Sequence, residues 1–110
     1  MLEQKTKLAL DDLIAQIKES ATYKEYHLQL ERLKAEPDFY RQVNEFRQKN
    51  YELQNAPKSE DLLERVEAFG VEYEAFRQNP LVDDFLQAEL AFCRMIQNIN
   101  LKIMEEMEFE

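Results

Sequence analysis

Residues 79–89 read NPLVDDFLQAE, and this stretch determines how the rest of the chain can fold. Asn79 is a favourable N-cap and Pro80 suits the first turn of a helix, so a helix should begin here. Neither glycine nor proline follows, which predicts one C-terminal helix of up to about 28 residues, roughly 42 Å long at 1.5 Å per residue. Such a helix is longer than a compact domain of 110 residues is wide, because that domain would have a radius of gyration of about 13 Å.

The apolar residues of this predicted helix form two stripes rather than one. The first stripe consists of Val82, Leu86, Cys93 and Ile96. The second stripe consists of Phe85, Phe92, Ile99, Ile103 and Met107. A helix that is apolar over so wide an arc needs neighbours on several sides, more than a monomer of this size supplies. We therefore expect the helix to form a two-fold dimer, with these candidate interface residues: Phe85, Glu89, Phe92, Ile99 and Ile103.

Four further helices are predicted upstream of residue 79. Apolar spacings of three and four predict the first around residues 10–21. Residues 22–25, TYKE, match a capping box that would start the second. Pro37 should end or kink that helix and begin the third, since proline lacks an N–H group and suits a first helical turn. Residues 54–60 form the one clear loop, and a fourth helix should cover residues 62–76.

The composition supports an all-α fold. Hydrophobic residues make up 45% of the chain and charged residues 34%, with one glycine and three prolines, which favours helices over strands and their turns. We therefore predict a single domain spanning residues 1–110, an antiparallel bundle of about five helices in which the last helix is the longest.

The charge of the chain disfavours polyanionic partners. The 23 acidic residues outnumber the 14 basic ones and give a net charge of −9, while the lysines and arginines are scattered singly rather than clustered. The longest apolar runs fall far short of the roughly 20 residues that span a bilayer, and the first ten residues do not read as a secretory signal. We expect a cytoplasmic protein that binds neither nucleic acid nor membranes directly.

Few residues suggest chemistry. The only histidine is His27, and Lys24 stands three positions before it, so the Glu-x-x-His motif of di-metal bundles is missing. The only cysteine, Cys93, lies in mid-helix on an apolar stripe, which is typical of a buried small hydrophobe rather than a nucleophile. With one glycine the chain has no phosphate-binding loop. We expect no catalytic residue, metal or cofactor.

Glu89 is the acid of most interest, because it falls in register with the stripe formed by Val82, Leu86, Cys93 and Ile96. A polar residue on an apolar seam can set the pairing register or the choice of partner. It can also lie at the edge of the seam, extended outward or bonded to an arginine, since acids are rarely fully buried. The sequence leaves both interpretations open.

The stretch at residues 79–89 also resembles a known family. It contains the pattern Pro-x-Val-x-x-Phe-x-x-Ala-Glu, formed by Pro80, Val82, Phe85, Ala88 and Glu89. Together with Tyr23, residues 30–33 and residues 37–46 upstream, it is similar to the YlbF/YmcA family of small helical bacterial proteins. The resemblance covers roughly residues 10–104.

The resemblance implies a regulatory and non-enzymatic role. Characterised members, mainly from Gram-positive bacteria, act in competence, sporulation and biofilm formation by joining paralogues in complexes that influence the RNA-decay machinery, RNase Y in particular. For this chain it implies a cytoplasmic adaptor that binds itself or a paralogous regulatory protein. The cysteines that some relatives carry in a C-terminal tail are missing here, so an iron–sulfur cluster is not expected.

Two other readings stay open. One is a helical bundle that binds a small ligand or metal through Glu89, His27 and Cys93, brought together by the fold. The other is a coiled-coil spacer without a regulatory role.

Overall fold

The computed structural model describes residues 2–108, and within that range most of the chain is helical, without strands, while residues 55–61 form a loop. Six helices follow one another: α1 (Gln4–Glu19), α2 (Ala21–Lys34), α3 (Pro37–Gln54), α4 (Leu62–Glu72), α5 (Glu74–Gln78) and α6 (Pro80–Glu106). The all-α prediction is confirmed, and so is the long last helix. Met1, Phe109 and Glu110, which the predicted domain also includes, lie outside the described residues.

Helix α6 begins where the sequence predicts. The Asn79 side chain accepts a hydrogen bond of 3.0 Å from the backbone N–H of Leu81, and Pro80 occupies the first turn. The helix runs for 27 residues, which is about 40 Å at 1.5 Å per residue. Pro37 likewise begins α3, as predicted.

The start of α2 differs from the prediction. Ser20, not Thr22, is the N-cap: its hydroxyl accepts a bond of 3.1 Å from the N–H of Tyr23 and donates one of 2.6 Å to the carbonyl of Ile17. Ser20 thereby provides a hydrogen-bond partner for a carbonyl group at the end of α1 and for an N–H group at the start of α2. The break between the two helices therefore needs only a single residue. Thr22 is already inside the first turn of α2, where it cannot act as a cap.

The predicted fourth helix is interrupted at Tyr73, which separates α4 from the five-residue α5. This break accounts for six helices in the described residues instead of about five. At the break the rings of Phe69, Tyr73 and Phe76 surround Phe46 of α3, with centroids 5.3 to 5.8 Å away. Gly70 lies one turn earlier and lowers the helix propensity of this segment by about 1 kcal/mol relative to alanine.

The core lies between α2, α3 and the first half of α6. Its four fully buried side chains are Leu33, Val43, Val82 and Phe85. Helix α2 makes the most extensive contacts with α6, and the two run antiparallel.

Aromatic rings extend this core along α2 and α6. The ring of Tyr26 contacts those of Phe85 and Phe92 at 6.0 and 4.9 Å between centroids. Tyr23 contacts Phe92 edge to face at 5.4 Å. Aromatic pairs at such separations stabilise packing beyond the area that they bury.

The molecule is elongated, because this core occupies only part of it. The radius of gyration is 18.0 Å and the principal extents are 49 × 38 × 22 Å, against about 13 Å expected for the radius of gyration of a compact domain of this length. The buried residues of α6 all lie near its start, and α1 has none. The second half of α6 therefore extends beyond the core.

No helix within residues 2–108 combines the length and apolarity needed to cross a bilayer.

Replacing Phe85 by alanine should lower the free energy of unfolding by about 3–5 kcal/mol, because the ring is fully buried and its loss leaves a cavity. Leu63→Ala is the matched control, because Leu63 is 69% exposed on α4. This substitution should change the free energy of unfolding by no more than about 0.5 kcal/mol. Urea titration followed by circular dichroism measures both. Equal destabilisation by the two substitutions would contradict the position of the core.

Candidate functional site

An ion pair joins α3 to α6 at the edge of the core. The guanidinium of Arg47 donates a hydrogen bond from Nη2 to Oε2 of Glu89, and the side chains are 41% and 20% exposed, respectively. The same guanidinium lies over the ring of Phe85, 5.6 Å from its centroid, and also donates to the Asn44 side chain at 3.2 Å. The interpretation of Glu89 as an acid at the edge of the stripe, bonded to an arginine, is confirmed.

Tyr26 adds a polar group beside this pair. Partial burial, and secondarily the negative charge of Glu89, raise the pKa of the Tyr26 hydroxyl above its ordinary value, while Arg47 opposes the shift. The hydroxyl therefore stays protonated at neutral pH. Tyr26 is an aromatic residue with a polar end, packed against the core.

A polar groove of about 610 Å³ runs between α3, α5 and α6. Its charged lining residues are Arg47, Glu74, Arg77, Asp83 and Glu89, and Cys93 also lines it. Three carboxylates and two guanidinium groups line this groove, so it has no strong excess of either sign of charge. Such a lining suits polar contacts with a protein rather than the capture of a phosphate.

Cys93 is exposed, which corrects the prediction that it is a buried hydrophobe. The reason is the orientation of α6. The face that carries Phe85, Ala88 and Phe92 turns towards α2, and Cys93 lies about 100° away from Phe92 around the helix. Val82 is itself a core residue, but the stripe that it begins turns away from the core before it reaches Cys93.

The five candidate interface residues lie in three different environments. Phe85 is fully buried in the chain's own core, so it has no surface to offer a partner; this corrects its prediction as an interface residue. Phe92 is half-buried against two tyrosine rings of α2, and Glu89 is paired within the chain. Ile99 is half-buried and Ile103 is 47% exposed, so these two are available for contact.

The fold does not assemble the proposed ligand site of Glu89, His27 and Cys93. Glu89 and Cys93 line the polar groove, but His27 does not. His27 instead stacks on Tyr23 on the exposed side of α2, with 6.0 Å between centroids. Among the residues that the structure describes, no group of three His, Cys, Asp or Glu side chains is arranged to hold a metal ion.

An apolar groove of about 710 Å³ separates α1 from the second half of α6. Its apolar lining residues, which define the α1–α6 groove, are Leu13, Ala91, Met95, Ile99 and Ile103. Arg94, Asn98 and Lys102 also line it. Ile99 and Ile103, two of the candidate interface residues, belong to one wall of this groove. The sequence did not lead us to expect the other wall, which α1 supplies. The signal that could have revealed it is the width of the α1 stripe, where Leu13 lies beside Ile14.

The family model described as "Control of competence regulator ComK, YlbF/YmcA" matches residues 8–108. The chain belongs to the YlbF/YmcA family. A UPF0342 protein of Desulfitobacterium hafniense is 30% identical over 102 residues, which cover 86% of this chain and 77% of the relative. A UPF0342 protein of Caldicellulosiruptor bescii is 21% identical over 101 residues, which cover 90% and 85% of the two chains. No solved structure matches this chain at a significant level.

Each residue of the motif that this YlbF/YmcA protein shares with its family has a structural role. Pro80 begins α6, and Val82, Phe85 and Ala88 are its buried residues. Glu89 forms the bridge to Arg47. The motif therefore positions α6 against the core.

A double-mutant cycle on Arg47→Gln and Glu89→Gln should give a coupling energy of about 0.5–1 kcal/mol, because Arg47 is partly exposed and solvent screens the pair. The same cycle on Arg41 and Glu45, an exposed pair on α3 with 3.9 Å between its charged atoms, should give no more than about 0.5 kcal/mol. Urea unfolding of the variants measures both energies. Equal coupling in the two pairs would argue against a specific link between α3 and α6.

Cys93 should react with a thiol reagent in the native protein, because its side chain is exposed. We expect one thiol per chain to react with 5,5′-dithiobis(2-nitrobenzoate), at a rate within about tenfold of the rate in denaturant. Stopped-flow absorbance measures the two rates. A native rate lower by several orders of magnitude would restore the original prediction of a buried cysteine.

Proposed function

We propose that this protein is a non-enzymatic regulatory adaptor of the cytoplasm, which acts by binding a second family member, either another copy of itself or a paralogue. The description of its family names the control of the competence regulator ComK, which supports a regulatory role. The resemblance to characterised members extends the proposal to complexes that influence RNA decay in competence, sporulation and biofilm formation.

The observation that carries this proposal is the exposed apolar surface of α1 and the end of α6. Of the 14 large hydrophobic side chains exposed in the described residues, eight fall within residues 2–14 and 101–107. Exposed apolar side chains concentrated in one region are typical of a protein interaction site. The net charge of −9 favours a protein partner over direct contact with RNA, because phosphates would be repelled.

Affinity purification from the native host tests the adaptor role. Tagged wild-type protein should recover another family member, identified by mass spectrometry. Ile103→Asp should reduce that recovery at least about tenfold, because it places a charge on the exposed apolar surface. Leu63→Asp, which changes an equally apolar side chain on α4, should leave it unchanged.

The decay of messenger RNA in the same strains tests the regulatory role. Deletion of the gene should change the half-lives of some transcripts at least about twofold, and the wild type or Leu63→Asp should restore them where Ile103→Asp fails. Unchanged half-lives after deletion, together with no family member recovered, would refute the adaptor proposal.

A further inference from the structure

We propose that the polar groove between α3, α5 and α6 binds an extended segment of a different protein, in which a bulky apolar side chain stands next to a lysine or arginine. This inference goes beyond the proposed function, because it assigns a second binding surface to the protein. It does not involve the surface that α1 and the end of α6 offer to a family member, so the two surfaces can be tested separately.

The floor of the polar groove is apolar. Leu86, Leu90 and Cys93 of α6 line it, together with Phe46 of α3. At 100° per residue the three side chains of α6 fall within about 60° of one another, so they form one strip along the helix. Leu90 is 50% exposed and Cys93 is also exposed. The outer part of this strip therefore faces solvent, where a bulky apolar side chain of a bound segment would cover it.

The walls of the groove carry polar side chains that the chain itself does not use. Arg47 and Glu89 pair with each other, and Asp83 accepts a hydrogen bond of 2.7 Å from Gln87. The other polar lining residues make no side-chain hydrogen bond or ion pair within residues 2–108, and they are Asn50, Glu74, Arg77 and Gln78. These four groups are open to a ligand.

The two amides among these groups favour a peptide in an extended conformation. Asn50 lines the groove from α3, and Gln78 lines it from α5. A side-chain amide offers both N–H donors and a carbonyl acceptor, which complement the acceptor and the donor that each residue of an extended backbone presents. A helical segment has already bonded its backbone groups internally. Hydrogen bonds to the backbone supply affinity for an extended segment, and its side chains supply specificity.

The charges of the groove favour a segment with a basic residue. Once Arg47 neutralises Glu89, the remaining carboxylates are Glu74 of α5 and Asp83 at the start of α6. Neither has an ion pair in the described part of the chain, and a lysine or arginine of the bound segment would supply one. Arg77 can donate to a carbonyl or carboxylate of the same segment. The net charge of −9 also attracts a basic segment.

The groove is already formed in the free chain. Arg47 is held in the wall of α3 by Glu89 and by the ring of Phe85. Helix α5 is held against α3 by Phe76, whose ring centroid lies 5.8 Å from that of Phe46. A site that is preformed in this way loses less conformational entropy on binding. Its volume of about 610 Å³ lies within the range of roughly 300–1,000 Å³ usual for ligand pockets.

The polar groove and the α1–α6 groove lie on different sides of α6. Leu86 lines the first and Met95 lines the second, and at 100° per residue the two are about 180° apart around the helix axis. An occupant of one groove therefore leaves the other accessible. The protein could then hold a family member at one surface and a different protein at the other.

A phage-displayed library of random twelve-residue peptides is the probe that tests the proposal. Selection on the wild-type full-length chain, after depletion on the Leu90→Asp variant, should enrich peptides in which leucine, methionine or phenylalanine stands next to lysine or arginine. The most enriched peptide is then synthesised with a fluorescent label, and its binding is measured by fluorescence anisotropy. Exchange of its basic residue for glutamate should weaken binding at least about tenfold, because the contact with Glu74 and Asp83 is lost.

Substitutions in the groove should weaken binding of the same labelled peptide. Leu90→Asp should raise the dissociation constant at least about thirtyfold, because it places a charge on the apolar floor. Asn50→Ala should raise it at least about fivefold, because it removes a hydrogen bond to the peptide backbone. Ile103→Asp in the α1–α6 groove is the matched control and should bind the peptide as tightly as the wild type.

The reactivity of Cys93 locates the bound peptide. Saturating peptide should slow the reaction of Cys93 with 5,5′-dithiobis(2-nitrobenzoate) at least about tenfold, because Cys93 lies on the floor of the groove. Circular dichroism checks the fold of the variants. Leu90 is 50% exposed, so Leu90→Asp should keep the helical signal, and if it does not, Asn50→Ala and the protection of Cys93 decide.

Four results would overturn the proposal. The selection enriches no peptide, or only peptides without a basic residue. The enriched peptide leaves the reaction of Cys93 unchanged. Ile103→Asp weakens the peptide as much as the groove variants do. Cys93 becomes protected at high protein concentration without peptide, which would place a second copy of the chain in the groove.

The same measurements separate this proposal from the adaptor function. If the peptide binds at the polar groove but the host purification recovers no family member and RNA decay is unchanged, the groove stands and the adaptor function fails. If a family member is recovered but no peptide protects Cys93, the adaptor function stands and the proposed role of the polar groove is wrong.

Discussion

The packing of Phe85 between α2 and α3 is the interaction on which the rest of the structure depends. Phe85 is fully buried and contacts Tyr26, so it sets which side of α6 faces inward. Val82 and Ala88 are buried on the same part of the helix. Once this short segment is fixed, the direction of the remaining five turns of α6 follows, because a helix without glycine or proline behaves as a rigid rod.

The ion pair of Arg47 and Glu89 lies directly beside this packing. Because the guanidinium also covers the Phe85 ring, the pair closes the edge of the core and holds α3 against α6. The position of Glu89 in the family motif is thus explained by its ion pair beside a buried ring. Loss of one partner would leave the other partly buried and unpaired, which costs more than the pair itself contributes.

A core confined to the first half of α6 leaves the other half to act as a surface. In this molecule the same helix is a structural element at its start and the proposed interface at its end, and the apolar stripe is continuous between them. The proposed adaptor role therefore needs no second domain to supply an exposed apolar surface.

How much the sequence predicts can be followed along α6. Asn79 and Pro80 determine the start of the helix by local hydrogen bonding and backbone geometry, and the missing breakers determine its length; both are properties of neighbouring residues. For Glu89 the sequence left two interpretations open, and the ion pair with Arg47 in the structure decided for the edge of the stripe. The cap of α2 was missed because Ser20 serves two helices at once, which a pattern for one helix does not contain.

Val82 and Phe85, which begin the two apolar stripes, are both fully buried; what only the tertiary structure decided is which stripe stays against α2 further along the helix. Phe85 and Leu86 are both apolar and adjacent, so helical periodicity alone is compatible with either of them facing the core. The same holds for Phe92 and Cys93. The choice depends on the aromatic rings of Tyr23 and Tyr26 on α2, which lie more than sixty residues before Phe92, the ring that they contact on α6. The amino-acid sequence by itself determined the helices and their ends, because those depend on local backbone chemistry; their rotation and the surface that they leave exposed depend on contacts between distant segments.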